Sequence, residues 1–195
     1  MRLLKITAEA ILNAYAQGAF PMADERGTIR WYTADPRGVL PLDGFNVPRS
    51  LRQTCRRGVF EIRINHNFRA VMSACRERRA DHTWITSELV ELYCELHALG
   101  FAHSVEAWQD GKLAGGLYGV AMGSAFFGES MFHYVRDASK VALVGLVERL
   151  RERKFDLLDT QAVTQHLKRF GAIEVPADRY LERLHAAITQ TRSFA

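Results

Sequence analysis

Between Phe101 and Gly128 the chain carries three strand-like segments in succession, 101–108, 112–121 and 124–128, with no helical stretch between them. Asp110-Gly111 and Met122-Gly123-Ser124 separate them, and both read as hairpin turns, because tight turns need residues that tolerate positive φ. Connections this short leave no room for a crossover, so the three segments must pair as an antiparallel meander.

What surrounds the meander sets the class. Thr7 suits the N-cap of a helix over about 8–17, which Gly18 stops. Residues 18–48 hold four of the five prolines, which predicts short strands and loops around Ile29–Tyr32 and Val39–Leu40. A short helix follows Pro48 and ends at Gly58. Phe60–Asn65 alternates as a strand, and 67–78 sets Phe68, Val71, Met72 and Cys75 on one helical face. Thr86 or Ser87 caps a further helix to about Leu99. After the meander come a helix at 138–153, a strand at 155–159, a helix at 162–170, a strand at 173–175 and a last helix from Asp178. This is an α+β layout, with a small N-terminal α/β module over 1–59 and the larger domain over 60–195.

Two carboxylates stand inside apolar runs: Glu129 in Gly128–Phe132 and Asp159 in Leu157–Gln161. A buried carboxylate costs several kcal/mol unless it is paired or hydrogen-bonded, so both are candidates for a site. The helix between them brings them to one end of one sheet, with Glu129 ending the meander and Asp159 ending the next strand. Gln161 lies two residues beyond Asp159, which on a strand is the same face.

A net charge of only +4 conceals clusters of basic residues. Arg49, Arg52, Arg56 and Arg57 form one, Arg76, Arg78 and Arg79 a second, and Arg149, Arg151, Arg153 and Lys154 a third. Phosphate or nucleic acid is the partner such surfaces suit. Cys55, Cys75 and Cys94 form no C-x-x-C pattern and read as reduced thiols. The histidines show no H-x-x-x-H pair beside an acid, so no metal site is expected. No window reaches the length of a membrane span, and Met1-Arg2-Leu3-Leu4-Lys5 lacks a signal-peptide apolar region, so the expectation is a cytoplasmic protein.

The element order is similar to that of the acetyltransferase-like (GNAT) superfamily, in which the strand after the meander and its helix splays from its neighbour and opens a substrate cleft. A CoA enzyme of that superfamily needs a glycine-rich loop at the helix N-terminus. Here Ser130–Ser139 contains no glycine, which disfavours acetyl-CoA.

The motifs point elsewhere. Ala14–Pro21, Trp31-Tyr32-x-x-Asp35-Pro36-Arg37, Thr83–Thr86, His103–Trp108, Gly115–Ala121, Gly128–Phe132, Ala138-Ser139-Lys140, Leu158–Gln161 and Leu167-x-x-Phe-Gly171-Ala172 follow one another from about residue 8 to 181. Together they closely resemble the leucyl/phenylalanyl-tRNA–protein transferase family. The resemblance implies transfer of Leu, Phe or Met from aminoacyl-tRNA to a protein N-terminus bearing Arg or Lys, creating an N-degron. No cofactor is implied, because the aminoacyl ester is already activated.

It further implies a role for particular residues. Asp159 and Gln161 match the catalytic D-x-Q pair, and Glu129 an acid lining the active site. Leu117, Met131, Leu143, Leu146, Leu150 and Leu158 match the aminoacyl pocket. Trp84 matches a tryptophan that stacks on the terminal adenine. Met22 stands where some relatives carry a second tryptophan. Arg49, Arg52, Arg56 and Arg57 match the family's basic, tRNA-facing helix. His133-Tyr134 departs from the usual Ser-Arg beside the site. Two alternatives stay open: a related transferase acting on acidic N-termini, and a non-catalytic tRNA-binding module.

Overall fold

A computed structural model describes residues 6–77 and 83–195; Arg78 and Arg79 of the second basic cluster lie outside the described residues. Helix α1 (Ala8–Ala16) starts where the Thr7 hydroxyl accepts the Ala10 N–H at 3.1 Å, and it ends at Gly18, whose φ is +77°. A hairpin of β1 (Phe20–Ala23) and β2 (Ile29–Tyr32) follows, then β3 (Arg37–Val39) and α2 (Arg49–Arg56). Next come β4 (Glu61–Ile64), α3 (Phe68–Glu77) and α4 (Ser87–Ala98), the last capped by Thr86.

The meander forms as expected from β5 (Ala102–Gln109), β6 (Lys112–Met122) and β7 (Ala125–His133). Asp110 and Gly111 both have positive φ, which lets a two-residue turn match the twist of the strands it joins. Then come α5 (Ala138–Glu152), β8 (Leu157–Gln161), α6 (Gln165–Lys168), β9 (Ile173–Val175) and α7 (Ala177–Ile188).

The large sheet has seven strands in the order β4-β5-β6-β7-β8-β3-β9. All its neighbours are antiparallel except β7 and β8. Strand β3, from the segment read as an N-terminal module, is therefore built into this sheet between β8 and β9. The β1–β2 hairpin forms a separate two-stranded sheet.

Alternate side chains enter two cores, as the period of a strand requires. On one face Tyr118, Val120 and Phe127 pack with α1, α3, α4 and α7, through Tyr15, Met72, Tyr93 and Leu184 among others. On the other, Leu117, Ala121, Phe126 and Leu158 pack with α2 and α5, through Leu51, Leu143, Leu146 and Leu150.

Two boundaries differ from expectation in ways that shape the site. Strand β7 does not stop at 128 but runs to His133, because Glu129 is accommodated as a bulge. Tyr118 pairs with Ser130 while Gly119 pairs with Gly128, so one step on β6 spans two on β7 and Glu129 is the extra residue. Gly119 is obligatory there, since a Cβ would lie 2.2 Å from the Phe127 carbonyl oxygen. Strand β8 begins and ends two residues later than expected and finishes on Gln161 with φ +56°. That left-handed turn and the Thr164 cap consume the start of the expected 162–170 helix, leaving only Gln165–Lys168.

Candidate active site

Strands β7 and β8 pair in parallel over Ala125–Phe127 and Leu157–Asp159 only. The bulge comes next, and beyond it the two strands part around a pocket of about 570 Å³. Its walls are apolar: Leu117 from β6, Met131 from β7, Leu143 and Leu146 from α5, Leu158 from β8, with Phe20, Met22 and Trp84 at one side. Five of the six expected aminoacyl-pocket residues therefore line one cavity. Leu150 does not; it is fully buried in the core, on the stretch of α5 that packs with Phe155 and Leu42. Trp84 and Met22 are neighbours because the Ala23 N–H donates to the Trp84 carbonyl at 3.2 Å.

Glu129 and Gln161 form the polar end of this pocket. The Gln161 Nε2 donates to Glu129 Oε1 at 3.0 Å, and the Tyr15 hydroxyl donates to the same oxygen at 2.6 Å. Burial, with a contribution from the negative charge of Asp159, pushes the Glu129 carboxyl up to about 8; the Tyr15 hydrogen bond and the Arg37 charge pull the other way. Glu129 makes no ion pair among the described residues, so it is not the partnered structural acid that a buried carboxylate usually becomes.

Asp159 is placed differently from expectation. It does not line the cavity and has no exposed surface. Its Oδ1 accepts Arg37 Nε at 3.0 Å and the Gln161 backbone N–H at 2.8 Å; its Oδ2 accepts Arg37 Nη2 at 2.6 Å and the Tyr180 hydroxyl at 2.6 Å. Four donors occupy this carboxylate, and one of them is the backbone of the strained residue Gln161. The strand period that puts Asp159 and Gln161 on one face is broken by the positive φ, so Gln161 enters the pocket while Asp159 stays beneath it.

Arg37 is buried, lies over the rings of Phe20 and Tyr180 at 4.9 and 4.6 Å, and donates to the Gly18 carbonyl at 2.8 Å. The bond to Asp159 holds its guanidinium above its ordinary value despite the burial.

Periodicity and composition do not mark Arg37, Tyr15, Tyr93 or Tyr180 as site residues. The three tyrosines fall on the apolar faces of helices, where Tyr reads as core, and a single Arg after Asp35-Pro36 reads as surface. Arg37 and Tyr15 do fall in two of the quoted motifs, and that membership is their one signal in the sequence.

The basic clusters divide. Arg49, Arg52, Arg56 and Arg57 lie on and just beyond α2, and all are exposed. In the third cluster Arg149 and Arg151 are engaged instead with the carbonyls of Phe194 and Leu42, where they fasten the C-terminal tail and the loop after β3.

An apolar pocket ending on a carboxyl and a carboxamide has the chemistry that an apolar acyl group and an amine would need. A family model described as leucyl/phenylalanyl-tRNA protein transferase matches residues 39–185, and one for that enzyme's N-terminal domain matches residues 5–35. The chain belongs to this family of aminoacyl-tRNA–protein transferases. A leucyl/phenylalanyl-tRNA–protein transferase of Paramagnetospirillum magneticum is 55% identical over 97% of this chain and 92% of its own. That of Herpetosiphon aurantiacus is 53% identical over 97% and 98%. Among solved structures, L-PGS from Bacillus licheniformis aligns with a TM-score of 0.46 at 12% identity, over 80% of this chain and 50% of that one.

Proposed function

We propose that the protein transfers Leu, Phe or Met from aminoacyl-tRNA to proteins with N-terminal Arg or Lys, with Glu129 and Gln161 meeting the reactants and Asp159 holding Gln161 in place. The reading is carried by one observation: Glu129, at a bulge, presents the only carboxyl group that the described residues place in the lining of an apolar pocket, and Gln161 is bonded to it. The aminoacyl side chain fills the apolar walls, where the flexible thioether of Met131 adapts to different shapes. Trp84 stacks on the terminal adenine, with Met22 as a softer opposing wall.

An N-terminal ammonium loses its proton near pH 8, close to the value of about 8 for Glu129. Groups matched in this way exchange a proton at little cost. The freed amine attacks the ester carbonyl, the amide bond forms, the bond to the ribose oxygen breaks, and that oxygen ends protonated. Positioning supplies most of the acceleration, since the ester is already activated.

The antiparallel meander, the helix α5 and a β8 strand that pairs with β7 over three residues before parting support a GNAT-like arrangement of this domain. No helix among the described residues is long and apolar enough to cross a membrane, which accords with a cytoplasmic enzyme.

Incubation with Leu-tRNA and a peptide beginning with Arg tests the proposal. Wild-type protein transfers leucine, Asp159→Ala does not, and Glu129→Gln does so far more slowly; absence of transfer by the wild type overturns the reading. A peptide beginning with Asp or Glu, run in parallel, is expected to remain unmodified.

A further inference from the structure

We propose that Tyr15, backed by Tyr93, is a positioning residue for the transfer reaction: it ties one oxygen of Glu129 so that the other is held toward the acceptor amine. This rests on the reading that Glu129 receives the amine's proton.

The argument begins with the bulge. As the extra residue of β7, Glu129 has no cross-strand partner on β6, so the ladder does little to fix its side chain. Its direction must come from tethers. The Tyr15 hydroxyl at 2.6 Å and Gln161 Nε2 at 3.0 Å both donate to Oε1. Two donors thus occupy one oxygen, and Oε2 is the one presented to a ligand.

Tyr15 is itself fixed. It is fully buried on α1, its ring 4.7 Å from that of Phe127, and its oxygen lies 2.5 Å from the hydroxyl oxygen of Tyr93 on α4. Tyr15 has one proton and gives it to Glu129, and the Tyr93 hydroxyl lies within reach of both the Tyr15 oxygen and the Glu129 carboxyl. The two phenols and the Glu129 carboxyl therefore form one buried hydrogen-bonded group. Burial and the nearby Glu129 charge hold both phenols protonated well above their ordinary range, so neither competes for the proton. The groups facing Glu129 are Tyr15 from α1, Tyr93 from α4, Asp159 from β8 and Arg37 from β3, and the other titratable groups of the lining are Tyr118 and His166. Among the first four, Tyr15 is the one whose hydroxyl lies 2.6 Å from a Glu129 oxygen. Two helices that otherwise only cover the sheet thus converge on the reacting end of the pocket.

The test is the pH profile of leucine transfer from Leu-tRNA to an Arg-initiated peptide under single-turnover conditions. Tyr15→Phe keeps the buried ring and deletes the donor. Losing a hydrogen bond to the ionised carboxylate is expected to move the acidic limb upward by about one pH unit. The maximal rate should fall about tenfold, with the KM for Leu-tRNA unchanged. Tyr93→Phe is expected to shift the limb in the same direction by less, and it carries the test if Tyr15→Phe does not fold. Within a Glu129→Gln background, Tyr15→Phe should change nothing further in the profile.

If Glu129→Gln removes the limb while Tyr15→Phe leaves limb and rate as in the wild type, Tyr15 is core packing and this proposal fails alone. If Glu129→Gln retains both the limb and full transfer, the assignment of Glu129 fails and this proposal falls with it.

Discussion

Glu129 and Asp159 are both acids in apolar runs, yet of the two only Asp159 has an ion-pair partner among the described residues. Glu129 in the folded chain holds its proton up to about pH 8, against an ordinary value of 4.5. A group that binds its proton more tightly when folded adds stability that is complete below about pH 4.5 and is lost as pH rises through about 8. Glu129→Gln cannot ionise, so its melting temperature relative to the wild type is expected to rise between about pH 5 and pH 9. The ceiling of that gain is about 5 kcal/mol, from about 1.36 kcal/mol per pH unit. A constant difference across that range, followed by thermal melts, would contradict it. Asp159 instead neutralises the buried Arg37. Asp159→Ala strands that charge and should cost about 3–5 kcal/mol in urea unfolding. Arg37→Met combined with Asp159→Leu should cost less than Asp159→Ala alone, while leaving transfer abolished because nothing pins the Gln161 turn.

The bulge of β7 is the element on which the site depends. It ends the pairing with β8, opens the pocket and turns Glu129 out of the ladder. Its condition is the small size of Gly119, where a Cβ would also lie 2.4 Å from the Phe126 ring. Gly119→Ala is expected to lower stability by about 1–3 kcal/mol, as overpacking does. It should reduce transfer more than that destabilisation explains at temperatures where the protein is still folded. Parallel urea unfolding and transfer assays separate the two. The second such point is Gly38 on β3, where a Cβ would lie 2.6 Å from the Ala162 backbone beside the Gln161 turn. Glycine thus permits the close backbone approach on both sides of the polar pair. In sequence, Gly128-Glu129 reads as the end of a strand, because a polar residue after an apolar run has that appearance. A bulge differs only in what the neighbouring strand does.

Over the whole molecule a net charge of +4 is small, but its arrangement is uneven. Arg49, Arg52, Arg56 and Arg57 are exposed and form no ion pair among the described residues. Replacing all four by Ala is expected to weaken tRNA binding and to flatten the dependence of log K on log salt, by about 0.7–0.9 for each phosphate no longer neutralised. Transfer at saturating Leu-tRNA should be unchanged. Filter binding across a salt series reads the slope, and an unaltered slope would remove this surface from the tRNA interface.

Sequence alone determined the class of fold, the meander and its turns, the caps at Thr7 and Thr86, and most of the apolar wall of the pocket. These follow from periodicity and turn chemistry, which are local, and from motifs dense enough to carry the family resemblance. The tertiary structure decided which acid meets the pocket. Asp159 lies beneath it because Arg37, 122 residues away, and Tyr180, 21 residues away, claim its carboxylate. Glu129 lines it because the register of two strands slips by one residue, and Tyr15, 114 residues away, fixes its direction. Hydrogen bonds across such separations, and a register set by a neighbouring strand, leave no periodic trace in the chain that makes them.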